Sequence, residues 1–94
     1  LKIGILGGGQ LARMLAQSAH QMGFEPHILC AQADEPAAQV ARSTQGPLND
    51  EKTLEAFLKT VDVATFESEF LDANLLGRIA KRLSTPIQPS PEIM

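Results

Sequence analysis

The chain has 94 residues and 44% of them are hydrophobic, enough for one small domain with its own core, and with no Trp or Tyr that core must be mostly aliphatic. Eight basic residues against eleven acidic ones give a net charge of −3, which supplies no electrostatic footprint for nucleic acid or an anionic membrane. Cys30 is the single cysteine, so an intramolecular disulfide and a cysteine-rich metal site are excluded, and no apolar run reaches membrane-spanning length.

The first predicted element is a buried strand over 3–6, where a short apolar run ends abruptly in Gly7-Gly8-Gly9. Residues 1–6 carry this strand and so do not read as a signal peptide. A helical pattern begins directly after the glycines. Gly7, Gly9 and Ala12 fit the G-x-G-x-x-G/A spacing of a strand–turn–helix that opens a Rossmann-like unit. Glycine permits positive φ in the bend and places no side chain between the backbone and a ligand. The helix start adds free N–H groups and partial positive charge. A ligand site above the loop is the leading expectation; the alternative is a plain tight turn.

The spacing predicts a helix over 10–22, with Leu11, Met14, Leu15, Ser18, Ala19 and Met22 forming one core-facing stripe and Gly23 stopping it. Arg13 and His20 fall off that stripe and read as surface residues. A second strand follows over 24–30, with Pro26 near its start and Cys30 as a small core residue near its end. An NAD site requires an acid at the end of this strand, to take the ribose hydroxyls. Cys30-Ala31-Gln32 stand there instead, and Asp34 and Glu35 come late, in a loop. A dinucleotide-binding module is therefore the lesser reading.

A short helix over 34–41 is entered through Pro36, and residues 43–45 form a short third strand. Asn49 or Asp50 caps a helix over 51–59 that presents Leu54, Phe57 and Leu58 to the core. Residues 61–67 read as a fourth strand, rich in β-branched side chains. A helix over 71–83 follows, with Asp72 as its cap and Leu75, Leu76, Ile79 and Leu83 on one side. A last strand is expected over 85–88, and Pro89-Ser90-Pro91 then breaks all regular structure. Both ends of the chain read as cuts in a longer protein.

Strands alternating with helices predict an α/β fold: a Rossmann-like, doubly wound parallel sheet of about five strands, in the order 3-2-1-4-5, over 1–88, with 89–94 as a linker. Ligands of such sheets sit beyond the carboxyl ends of the strands, where the order reverses. That rule brings the loop of Gly7 to Gln10 to face the end of the fourth strand, Thr65 to Glu69, where Glu67 stands. Backbone N–H groups and an amide would stand on one side and a carboxylate on the other. The pairing suits a small polar ligand with amino or hydroxyl donors better than a phosphate, which Glu67 would repel. Glu69 falls on the same side as Glu67 if the strand continues.

Four stretches occur in order: 2–14 (Lys-Ile-Gly-Ile-Leu-Gly-Gly-Gly-Gln-Leu-Ala-Arg-Met), 35–41 (Glu-Pro-Ala-Ala-Gln-Val-Ala), 62–67 (Asp-Val-Ala-Thr-Phe-Glu) and 89–91 (Pro-Ser-Pro). Together they closely resemble the N-terminal pre-ATP-grasp domain of the N5-carboxyaminoimidazole ribonucleotide synthetases, the ATPase subunits of phosphoribosylaminoimidazole carboxylase. The resemblance implies a cytoplasmic ligase of purine biosynthesis. Its members join ATP, bicarbonate and 5-aminoimidazole ribonucleotide through carboxyphosphate. It implies that ATP and Mg²⁺ are held by parts beyond Met94, so that this chain carries no cofactor site and is inactive alone. It also implies that Gly8, Gly9, Gln10, Leu11 and Glu67 face the ribonucleotide. The partners implied are that small molecule, the chain's own ATP-grasp region and, since the family tends to dimerise, a second copy. Two departures stand out. The family usually continues Thr-Phe-Glu-Phe-Glu-Asn where this chain has Thr65-Phe66-Glu67-Ser68-Glu69-Phe70, and it often has Asp where Cys30-Ala31 stand. A related glycinamide ribonucleotide formyltransferase, which carries Glu at the position of Gln10, is the alternative of the same fold.

Overall fold

β1, Lys2–Leu6, lies at the centre of a parallel sheet, because its alternate side chains are buried on both faces. It pairs on one side with β2, Glu25–Cys30, in the register Ile5 to Ile28, and on the other with β4, Val63–Phe66, in the register Ile5 to Thr65. β3, Arg42–Gln45, adds to the free side of β2 as an exposed edge, giving the order β3-β2-β1-β4. The computed structural model describes residues 1–67 and 71–87.

Four strands, not five, are formed among these residues. The expected fifth is represented by one parallel bridge, from Ala64 to Ile87, with the Ala64 N–H donating to the Pro86 carbonyl at 2.9 Å. Pro86 has no N–H to extend that ladder. Gln88, the expected linker 89–94 and Glu69 lie outside the described residues.

The chain steps from β1 outward to β2 and β3, then returns across the sheet to β4. Right-handed crossovers in opposite directions place their helices on opposite faces. On one face α2 (Glu51–Leu58) and α3 (Ala73–Leu83) cover Leu6, Leu29 and Ala64 with Leu54, Phe57, Leu58, Leu75, Leu76 and Ile79. On the other, α1 (Gln10–Gln21) and a 3₁₀ turn (Pro36–Gln39) cover Ile5, Ile28 and Cys30. The expected helix over 34–41 is only this turn: Pro36 starts it, and Val40 already returns the chain to the sheet. Asp50 caps α2 by accepting from the Thr53 N–H, and Asp72 caps α3 by accepting from Asn74 and Leu75.

α1 is rolled relative to expectation. Its buried residues are Ala12, Ala16 and Ala19, whereas Leu11, Met14 and Met22 are 52%, 56% and 67% exposed. The helix leaves the glycine bend so close to β1 and β2 that only methyl side chains fit beneath it. The larger apolar residues are turned roughly a quarter circle away, at 100° per residue. Leu15, Ser18 and Met22 then flank a shallow apolar groove of about 350 Å³, floored by the β1 and β4 residues Ile3, Val63 and Thr65.

Candidate functional site

The bend after β1 stands at the point where the strand order reverses, between β1 and β4. Gly7 takes φ of +126°, which only glycine adopts without strain, and its N–H donates to the Leu29 carbonyl at 2.8 Å. Gly9 is the N-cap of α1 but has no side chain to cap it. The N–H of Gly9 itself is met from 58 residues away: Glu67, just beyond β4, accepts it on Oε1 at 2.9 Å. The Glu67 N–H in turn donates to the Leu6 carbonyl at 3.2 Å, so the β1–β4 pairing itself sets the carboxylate beside the bend.

The packing leaves no space for side chains here. A Cβ on Gly7 would stand 2.9 Å from Glu67 Cγ and Oε1, and one on Gly9 would stand 3.0 Å from the same Oε1. Gly8 faces the other way. A Cβ there would meet Cys30 Cβ at 2.7 Å and Glu35 Cβ and Cδ at 2.9 Å, while the Gly8 carbonyl accepts the Ala37 N–H at 2.9 Å. The bend is thus held from both neighbouring strands: by Glu67 from β4, and by the end of β2 with the 3₁₀ turn.

Of the expected site residues, Gly9 and Glu67 are brought into direct contact. Gln10 and Leu11 are the first two residues of α1, both exposed, and their backbone N–H groups are among those a helix start cannot satisfy itself. Gly8 turns its α-carbon toward Cys30 and Glu35 rather than toward Glu67. Glu35 is the residue that the sequence reading missed at this bend. Its Oε2 accepts the Gln32 N–H at 2.8 Å, closing the loop after β2 over Gly8. The available signal was Pro36, which fixes the backbone that follows Glu35. The Cys30 thiol, buried beneath Gly8, has its pKa raised, first by burial and then by the Glu35 charge, so it remains a thiol and not a nucleophile. A groove of about 690 Å³ along α3, near Asn74, Gly77 and Lys81, lies apart from the bend.

A parallel α/β sheet with a glycine bend at its switch point, answered by a carboxylate from the adjoining strand tip, defines a Rossmann-like α/β domain. The chain matches the ribonucleotide synthetase preATP-grasp domain over residues 1–94, and it belongs to that family. It is 39% identical over 85 residues to an N5-carboxyaminoimidazole ribonucleotide synthase of Staphylococcus aureus, covering 89% of this chain and 23% of that protein. The crystal structure of N5-carboxyaminoimidazole ribonucleotide synthetase from Thermotoga maritima superposes with a TM-score of 0.90 at 35% identity, covering 98% of this chain and 26% of that one. The Aspergillus clavatus synthase, crystallised with ADP and 5-aminoimidazole ribonucleotide, superposes with a TM-score of 0.84 at 34% identity, covering 97% and 24%. The chain therefore spans about a quarter of each of these relatives.

Proposed function

We propose that this chain is the ribonucleotide-binding part of an ATP-dependent synthetase of purine biosynthesis. The complete cytoplasmic enzyme would convert 5-aminoimidazole ribonucleotide, bicarbonate and ATP to N5-carboxyaminoimidazole ribonucleotide. The observation that carries the reading is the 2.9 Å contact between Glu67 and the Gly9 N–H, which puts a carboxylate acceptor and the free N–H groups of α1 on one crevice. A ligand with an amine or hydroxyl at one end satisfies the carboxylate, and its acceptors satisfy the helix start. In this reading Glu67 takes the donor end of the ribonucleotide. Gly9 gives it close access to the backbone, Gly8 holds the bend from the side of Cys30 and Glu35, and Gln10 and Leu11 border it.

The relative crystallised with ADP and 5-aminoimidazole ribonucleotide supports both ligands for the whole protein. Among the described residues no group of three His, Cys, Asp or Glu could hold a metal ion. In this reading ATP and Mg²⁺ belong to the three quarters of the relatives that this chain does not span, where they would activate bicarbonate. Residues of the present chain would only bind and orient the acceptor.

The test is calorimetric titration of 5-aminoimidazole ribonucleotide into the intact protein, with and without Glu67→Ala. Losing a charged acceptor lowers ribonucleotide affinity by about tenfold or more and leaves ATP affinity unchanged. Equal ribonucleotide affinity in the two proteins removes Glu67 from the site.

A further inference from the structure

A strand–glycine bend–helix unit ordinarily offers its N–H groups and the positive end of the helix to a phosphate. Here that place is filled from within. Glu67 Oε1 accepts the Gly9 N–H at 2.9 Å, and the same oxygen lies 2.9 Å and 3.0 Å from where a Cβ would stand on Gly7 and Gly9. The carboxylate therefore lies across both outer glycines, over the opening of α1. On the far side, the Glu35 carboxyl carbon is 2.9 Å from a Cβ position on Gly8. Two carboxylates, one just beyond β4 and one from the loop after β2, border three residues that carry no side chain of their own.

We propose that Glu67 is a specificity-determining residue whose carboxylate occupies the anion seat of the glycine bend, so that phosphate and pyrophosphate groups are refused there and only the donor end of a ligand is admitted. The inference rests on the ribonucleotide reading and extends it: the ribonucleotide enters with its amine or hydroxyl end toward the bend and its phosphate directed away. It also gives a physical reason, independent of the missing acid after β2, why this bend does not take a dinucleotide. The pyrophosphate of such a cofactor and the Glu67 carboxylate would compete for the Gly9 N–H at the opening of α1.

The test uses the intact protein carrying this chain, labelled with ¹⁵N-glycine and titrated with metal-free inorganic pyrophosphate. In the unsubstituted protein the Gly7, Gly8 and Gly9 amides show no saturable shift. In Glu67→Ala the Gly7 and Gly9 amides shift saturably, with affinity tighter by about tenfold or more as the helix start is uncovered. Glu67→Gln keeps an oxygen for the Gly9 N–H but removes the charge, and shows a smaller gain; it carries the test should the alanine variant not fold. Saturation in the unsubstituted protein, or no gain in either folded variant, overturns the proposal. The two readings fail separately. Loss of ribonucleotide affinity without any pyrophosphate gain sinks the exclusion and keeps the substrate assignment. A pyrophosphate gain with unchanged ribonucleotide affinity does the reverse.

Discussion

Gly7 sits at φ of +126° with the Glu67 side chain 2.9 Å from the place of a Cβ, whereas Gly77, inside α3, has nothing within 4 Å of that place. The same substitution therefore has opposite signs at the two positions. Gly7→Ala forces an L side chain into left-handed backbone and against the carboxylate, and lowers stability by about 1–3 kcal/mol. Gly77→Ala restricts the unfolded chain and favours the helix, and raises stability by about 0.5–1 kcal/mol. Urea denaturation of the two variants reads both effects; a stabilised Gly7→Ala would contradict the geometry. The meeting of the glycine run with Glu67 is legible in the residues, because an apolar strand ending in glycines and a carboxylate ending the strand beside it come together once the strand order reverses. Glu35 is not legible. No period or spacing says that Pro36 will fold that carboxylate back over Gly8.

Helices α2 and α3 follow their periodicity and their caps, and α1 does not. Asp50 shows how a cap acts. Its carboxyl is held below the usual range, first by the Thr53 N–H at 3.0 Å and then by the Thr53 hydroxyl at 2.8 Å. A depressed folded value means that the contribution is present above the unfolded carboxyl value and is lost as pH falls through the folded one. The gap in urea midpoint between the native protein and Asp50→Ala is therefore widest near neutrality, and it closes as the medium is acidified below about pH 4. A gap independent of pH would show that the carboxylate's charge plays no part. α1 escaped its pattern because periodicity weighs side chains by hydrophobicity, while packing beside a glycine bend selects them by size. Three alanines meet the sheet, and the leucine and methionines that mark the stripe are turned aside.

Over the whole molecule the parallel α/β class and the central order 3-2-1-4 are legible from alternation and handedness. The fifth strand is not, since Pro86 limits it to one bridge among the described residues. The fold has an asymmetry that sequence alone did not disclose. α2 and α3 cover one face, whereas on the other a groove opens beside α1 at Leu15 and Met22, and Leu11, Met14 and Met22 are exposed. Stability should be insensitive to the outer residues and sensitive to the small inner ones. Met14→Gln changes the unfolding free energy by no more than about 0.5 kcal/mol. Ala16→Leu, which inserts three carbons between α1 and the sheet, costs about 1–3 kcal/mol. Thermal denaturation of the pair checks the roll of α1, and the reverse ranking would place the methionine inside.

The crowding at Gly8 bears on how this chain can change over generations. With Cys30 and Glu35 both within 3 Å of where its Cβ would be, positions 8, 30 and 35 share a single volume. Because the crowding atoms at 30 and 35 are the β-carbons themselves, which every residue but glycine keeps, a methyl group enters at 8 only with a shift of the backbone at the bend. The middle glycine is hemmed in by that shared volume, so its history is tied to residues 22 and 27 positions further along the chain.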